Sequence, residues 1–240
     1  DIAHSSRSGL PPEMVREGPG ANHDLRDLKR MRLYDYWRSS AAYRVRIALN
    51  LKAVDFDQIP INLRQGGQRT LDYLARNPQG LVPVLEAEDD RLTQSLAIIE
   101  WLEELHPKPP LLPKDPLARA QVRALALTIA CDIHPLNNAR VLQYLEHRAG
   151  LGERQVVAWY RHWIEEGFGA LEKKLAASAG RFCHGDSVTL ADVCLVPQVY
   201  NARRYQCDLT AYPTIRRIDA ACLALPAFEA ARPERQRDAA

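Results

Sequence analysis

The sequence predicts an α/β first part built on a mixed four-stranded sheet, followed by a part that is helical throughout. Three observations predict it. Between residues 31 and 105, apolar runs of strand length alternate with stretches of helical spacing. Five prolines then fall within residues 106–116 and read as an extended linker, because proline fixes φ and interrupts helices. Beyond the linker, the sustained apolar patterns repeat at helical spacing. The 240 residues suffice for one large domain or two small ones with a real core.

Residues 1–30 are rich in Gly, Pro, Ser and charge without a sustained period, and are expected to form a flexible leader outside the fold. A strand is expected over residues 32–36. Ser39 and Ser40 precede Val45, Ala48 and Leu49, whose spacing marks a helix with the two serines as candidate caps. Residues 56–61 form a second strand candidate and residues 70–75 a short helix, and Asn77-Pro78-Gln79-Gly80 is a turn signal. Residues 82–85 and 91–93 fit two strands around Asp89-Asp90. Ser95 is the expected N-cap of a helix with Ile98, Leu102 and Leu105 on one face. The alternating start calls for a parallel strand pair, and the two closely spaced later strands for an antiparallel one.

After the linker, Val122, Leu125, Ala126 and Ile129 make one stripe. Val156, Tyr160, Trp163, Gly167, Leu171 and Leu175 make another, which is expected to be core. Thr189-Leu190-Ala191-Asp192 reads as a capping box with Asp in place of Glu. Pro197 is expected to bend or end the helix that box opens. Residues 215–223 are a further helix. The expected domains are residues 31–110 and residues 117–232.

Composition removes several functions. Lys and Arg number 32 against 30 Asp and Glu, a formal +2, too small a surplus for a general nucleic-acid binder. Apolar residues at 46% and charged residues at 26% argue against chain-wide disorder. The five cysteines are loosely spaced and lack a Cys-x-x-Cys, which leaves a zinc ribbon or dithiol centre unsupported and fits a reducing compartment. No apolar run approaches the length of a membrane span, and no apolar signal-peptide core is visible.

The motifs point further. Trp37-Arg38-Ser39-Ser40-Ala41-Ala42-Tyr43-Arg44-Val45-Arg46-Ile47-Ala48-Leu49 resembles the signature of the zeta class of glutathione transferases. Asn77-Pro78-Gln79-Gly80-Leu81-Val82-Pro83 is similar to that family's cis-proline loop, and Gln94-Ser95-Leu96-Ala97-Ile98-Ile99-Glu100-Trp101 to its glutathione-binding helix. Cys131-Asp132-Ile133-His134-Pro135-Leu136-Asn137-Asn138, Leu195-Val196-Pro197-Gln198 and Asp208-Leu209-Thr210-Ala211-Tyr212-Pro213 also match. The resemblance runs from about residue 31 to about residue 233. It implies the glutathione transferase fold: a thioredoxin-like α/β domain with a mixed four-stranded sheet, then an all-α domain. One position departs: where the family pattern has Ser-Ser-Cys, the third residue is Ala41, which excludes a covalent role for a cysteine there.

On the residues alone, helix capping accounts for Ser39, Ser40 and Ser95, and the trans form is the default for Val82-Pro83. Surface or interdomain packing accounts for His134 and Asn138, whose four-residue spacing puts them on one helical face. A free helix N-terminus nevertheless stabilises an anion, and a thiol held there ionises more easily. The resemblance implies that Ser39 donates to the sulfur of glutathione, with Ser40 as a second catalytic candidate. It implies that Val82, through a cis bond to Pro83, pairs with the cysteinyl backbone, and that Gln94 and Ser95 hold the γ-glutamyl carboxylate. His134 and Asn138 complete the glutathione set, and no metal is implied. Arg38, Arg140 and Arg204 match positions that grip substrate carboxylates, for which a guanidinium fork is suited; Arg203, its neighbour, is ranked below them.

The activity implied is glutathione-dependent cis–trans isomerisation of maleylacetoacetate to fumarylacetoacetate, in aromatic amino-acid catabolism. The thiolate adds to the cis double bond, the bond rotates, and the thiolate leaves. The partners are glutathione and a small unsaturated dicarboxylic keto acid, in a cytoplasmic homodimer with no nucleic acid and no membrane. Alternatives are the same chemistry on maleylpyruvate, conjugation of glutathione to small electrophiles, or a non-catalytic binding role on the same scaffold.

Overall fold

The computed structural model describes residues 30–239, so the leader expected over residues 1–30 lies, except for Arg30, outside the described residues. The first part contains β1 (Met31–Asp35), α1 (Ser40–Leu51), β2 (Phe56–Pro60), α2 (Leu71–Leu74), β3 (Val84–Ala87), β4 (Asp90–Thr93) and α3 (Ser95–Leu105). The sheet order is β2-β1-β3-β4. β1 pairs parallel with β2 and antiparallel with β3, and β3 pairs antiparallel with β4, which is the mixed sheet the spacing predicts. Leu33 and Leu85 are buried in the sheet, against Ile47 and Val45 of α1 and Ile98 and Leu102 of α3 in one apolar core.

α1 starts where expected because the Ser39 hydroxyl accepts the Ala42 amide at 3.2 Å. Ser40 is already helical, so only one of the two serines is a cap. Ser95 likewise is the first helical residue of α3, not its cap. The cap position falls to Gln94, whose φ of +67° is a left-handed conformation unusual for a side chain with a Cβ. The Val82–Pro83 bond is cis.

The remainder is helical: α4 (Pro116–Leu127), α5 (Ala139–His147), α6 (Glu153–Ser178), α7 (Leu190–Arg204), α8 (Pro213–Leu223) and α9 (Pro226–Ala231). Val122, Leu125, Ala126 and Ile129 are buried as predicted. On α6 the predicted stripe is partly displaced: the buried face runs through Tyr160, Ile164, Phe168, Leu171 and Leu175, with Val156, Trp163 and Gly167 half-buried beside it. Asp192 closes the capping box on the Thr189 amide and hydroxyl, both at 2.8 Å. Pro197 does not end α7, which continues to Arg204. Its missing N–H removes one bond of the ladder, a loss that the burial of both flanking turns offsets.

The proline-rich crossing is fixed to the sheet-bearing part by a buried pair. Glu103 of α3 accepts the amides of Leu111 (3.0 Å) and Leu112 (3.2 Å). Lys52, after α1, pairs with Glu103 and donates to the Pro109 carbonyl at 2.6 Å. The Leu111 carbonyl in turn accepts the Leu190 amide at the start of α7, at 2.8 Å.

Candidate active site

The turn between β1 and α1 carries the first set of predicted residues. The Ser39 amide donates to the Tyr36 carbonyl at 2.8 Å, which turns the chain into α1. Arg46, buried in the second turn of the helix, donates from Nη1 to Asp35 at 2.7 Å and from Nη2 to the Trp37 carbonyl at 2.9 Å. Arg38 stacks its guanidinium 4.5 Å from the Trp37 ring centroid. The Ser40 hydroxyl accepts from Asn201 Nδ2 of α7 at 2.6 Å, so Ser40 ties α1 to the helical part as well as facing the cleft.

That cleft has a volume of about 660 Å³. Arg38, Ser39, Ser40, Val82, His134, Asn138, Arg140 and Arg204 all line it, as does Ala41. Gln94 and Ser95 do not. Gln94 reaches the wall through Gln79, a lining residue, whose Oε1 accepts from Gln94 Nε2 at 3.0 Å. A more open hollow of about 510 Å³ along α6, between Glu153 and Glu165, holds none of the predicted residues.

His134 and Asn138 do not share a helical face. After α4 the chain widens into a π turn over Thr128–Ile133 and tightens into a 3₁₀ turn over His134–Asn137, and Asn138 is the N-cap of α5. The expectation of one regular helix fails because the backbone changes pitch twice within ten residues. Asn138 Oδ1 accepts the Arg140 amide at 3.1 Å, which leaves its amide nitrogen for the cleft. Burial, and then the positive charge of Arg44, push the His134 imidazole down to about 3, so it faces the cleft neutral. Burial pushes the Tyr160 phenol above its ordinary value, and it stays protonated.

Arg204 lies in the last turn of α7 with its guanidinium 4.8 Å from the Tyr205 ring centroid. That ring stacks on Tyr160 at 3.5 Å and 10°, so two aromatic residues position the cation. Arg203 does not line the cleft and pairs with buried Asp219 at 2.5 Å.

Three further arginines at or behind the cleft escaped the sequence reading. Arg64 and Arg69, on the loop between β2 and α2, join Arg38, Arg140 and Arg204 in the cleft lining, which contains no Asp or Glu among the described residues. The field in the cleft is therefore strongly positive and suits a polyanion. The third is Arg44 of α1, fully buried behind the start of α3. Its Nη1 donates to Ser95 Oγ at 3.4 Å, while Nε and Nη2 have no partner among the described residues. Burial lowers the pKa of Arg44, and among the described residues no carboxylate compensates its charge. The signal for it in the sequence was an arginine on the apolar face of an otherwise buried helix.

The arrangement fits a bound peptide-like anion. The first-turn amides of α3 lack intrahelical acceptors. Arg44 lies behind them with unmet donors. The Val82 amide and carbonyl have no hydrogen-bond partner among the described residues, beside the cleft.

A mixed β-β-α-bearing first part, a helical second part and an anion-accepting cleft between them define the glutathione transferase fold. Residues 33–110 match the family model of the glutathione S-transferase N-terminal domain. A probable maleylacetoacetate isomerase of Vibrio cholerae is 53% identical over 209 residues, which are 86% of this chain and 97% of that protein. The holo structure of a maleylpyruvate isomerase, a bacterial glutathione S-transferase of the zeta class, is 50% identical and superposes with a TM-score of 0.86 over 87% of this chain and all of that one. A maleylacetoacetate isomerase of Methylobacterium extorquens, solved with malonate and glutathione bound, is 44% identical with a TM-score of 0.85, over 87% of this chain and 99% of its own. The chain belongs to the zeta class of glutathione transferases. Among the described residues no helix is long and apolar enough to cross a membrane, and no cluster of metal-ligating side chains is present.

Proposed function

We propose that this chain catalyses the glutathione-dependent cis–trans isomerisation of maleylacetoacetate to fumarylacetoacetate, as a cytoplasmic homodimer in tyrosine and phenylalanine catabolism. One observation carries the reading: a serine hydroxyl at the N-terminus of α1 opens onto a cleft lined by five arginines and, among the described residues, no carboxylate. Glutathione, when bound, supplies the nucleophilic thiolate that adds to the double bond and departs after rotation.

In this reading residues 31–110 form most of the glutathione site and residues 117–232 most of the acid site, with Arg38 crossing to the acid and His134 and Asn138 to the tripeptide. The Ser39 hydroxyl donates a hydrogen bond to the sulfur, and the α1 N-terminus adds its dipole, so the thiolate is favoured at neutral pH. Ser40, held by Asn201, fixes the approach of α1. Val82 presents its backbone to the cysteinyl residue. Gln94 and Ser95, with Arg44 behind them, receive the γ-glutamyl carboxylate. His134 and Asn138 offer neutral donors to the remaining polar groups of the tripeptide. Arg38, Arg140 and Arg204 grip the two carboxylates of the acid and offset the charge that develops on its oxygen.

The test is the rate on maleylacetoacetate with and without glutathione. A rate that ignores the tripeptide ends the proposal. Maleylpyruvate is the second reading, supported by the maleylpyruvate isomerase that superposes on this chain. Side-by-side kcat/KM values on the two acids decide between them, and a stable glutathione adduct as main product would favour a conjugating transferase instead.

A further inference from the structure

We propose that the segment 232–239 is a strap that clamps the turn bearing Arg38 and Ser39, and that Asp238 is the positioning residue of this strap. The segment follows α9 and is itself ordered by built contacts. Glu229 pairs with Arg232 at 3.0 Å and with Arg235 at 2.9 Å. Gln236 Nε2 donates to the carbonyls of Ala230 at 3.0 Å and Arg232 at 2.6 Å. These contacts carry the chain back across α1. There Asp238 Oδ2 accepts the backbone amide of Trp37 at 3.1 Å, a contact between residues 201 positions apart. The other oxygen, Oδ1, is buried without a partner among the described residues, so the carboxylate is committed to this one donor.

The opposite side of the same residue is held from the same region. The Trp37 carbonyl accepts Arg46 Nη2 at 2.9 Å, while Arg46 Nε donates to the Ala231 carbonyl at 3.1 Å. Trp37 is thus gripped at its amide by Asp238 and at its carbonyl by an arginine fastened to the end of α9. Within the turn the Ser39 amide donates to the Tyr36 carbonyl and the Ser39 carbonyl accepts the Tyr43 amide, both at 2.8 Å, while Arg38 has no backbone hydrogen bond among the described residues. Short turns held so sparsely open at low free energy, and an amide donating to a carboxylate is among the stronger restraints available. Trp37 precedes Arg38 directly and Ser39 by two residues, so the orientation of its peptide groups aims both side chains at the cleft. Misplacement of a reacting group by about 1 Å can reduce rate on the order of a hundredfold.

The inference rests on the reading of Ser39 and Arg38 given above, and its test separates the two. Asp238→Ala and Asp238→Asn are compared with the parent chain by hydrogen exchange at the Trp37 amide, by glutathione binding calorimetry, and by kcat and KM on maleylacetoacetate. Expected for Asp238→Ala is faster exchange at Trp37 and a fall of about tenfold in kcat/KM, expressed in kcat as well as KM. Asp238→Asn, which keeps an acceptor oxygen, is expected to recover most of both. Unchanged exchange at Trp37 in Asp238→Ala overturns the strap. An Asn variant as impaired as the Ala variant overturns the hydrogen-bond account. The exchange measurement is read whether or not the acid is the substrate, so failure of the isomerase reading leaves it decisive.

Discussion

Replacing Ser39 separates the two jobs its hydroxyl is assigned. As an N-cap it accepts the Ala42 amide at 3.2 Å, and loss of such a cap to alanine costs about 1 kcal/mol of stability, whereas glycine at a cap costs only a few tenths. As a donor to a thiolate it makes a charge-assisted hydrogen bond worth about 1.5–3 kcal/mol. At about 1.4 kcal/mol per factor of ten, that is a loss of about ten- to a hundredfold in kcat/KM and a rise of about one to two units in the pKa of the bound thiol. Ser39→Ala and Ser39→Gly therefore diverge in stability but coincide in catalysis. The assay is thermal unfolding for each variant, with ultraviolet titration of the thiolate in the binary glutathione complex and initial rates of isomerisation across pH. If Ser39→Gly retains the parent thiol pKa and parent rates, the hydroxyl is a cap and nothing more, and the electrostatic argument fails.

Arg44→Met removes a buried, partly unpartnered charge, so the free protein is expected to be as stable as the parent or more so, while glutathione binds at least about tenfold more weakly; calorimetry and melting curves check the opposite signs. Arg204→Ala is expected to raise KM for the acid about tenfold or more with little change in glutathione affinity, and Arg204→Lys to recover only part, because the fork geometry and the aromatic stack are lost; steady-state kinetics decide. His134 carries a depressed folded-state pKa of about 3 against an ordinary value near 6.5, so between those values the unfolded chain binds the extra proton. Stability from this group is full above about pH 6.5 and is lost as pH falls toward 3, with a slope of up to about 1.4 kcal/mol per pH unit. Denaturant titrations of the parent and of His134→Gln should differ by that slope, and parallel curves would refute the assignment.

The sheet was legible because its signals are local. Strand-length runs, the close spacing of the later two strands and the Ser39 cap depend on neighbours within a few residues. The helix over Ile215 and its neighbours, and the Thr189–Asp192 box, were legible for the same reason. What stayed hidden involves distance along the chain. Nothing near Ser40 announces that Asn201 will hold it, and nothing in the spacing of Arg44 shows that it lacks an acid partner. The His134 to Asn138 spacing misled because a regular pitch was assumed across a π turn and a 3₁₀ turn. Arg64 and Arg69 carried no periodic signal, since they flank a loop that turns through Gly66 at φ +75°. Motif resemblance, rather than periodicity, brought Arg38, Arg140 and Arg204 to one cleft.

The buried Lys52–Glu103 node has a mechanical consequence. A hinge needs a free length of chain, and here the proline-rich crossing is bolted at Pro109, Leu111 and Leu112 on one side and at Leu190 on the other. The two parts are thereby denied the rocking motion that would open and shut the space between them.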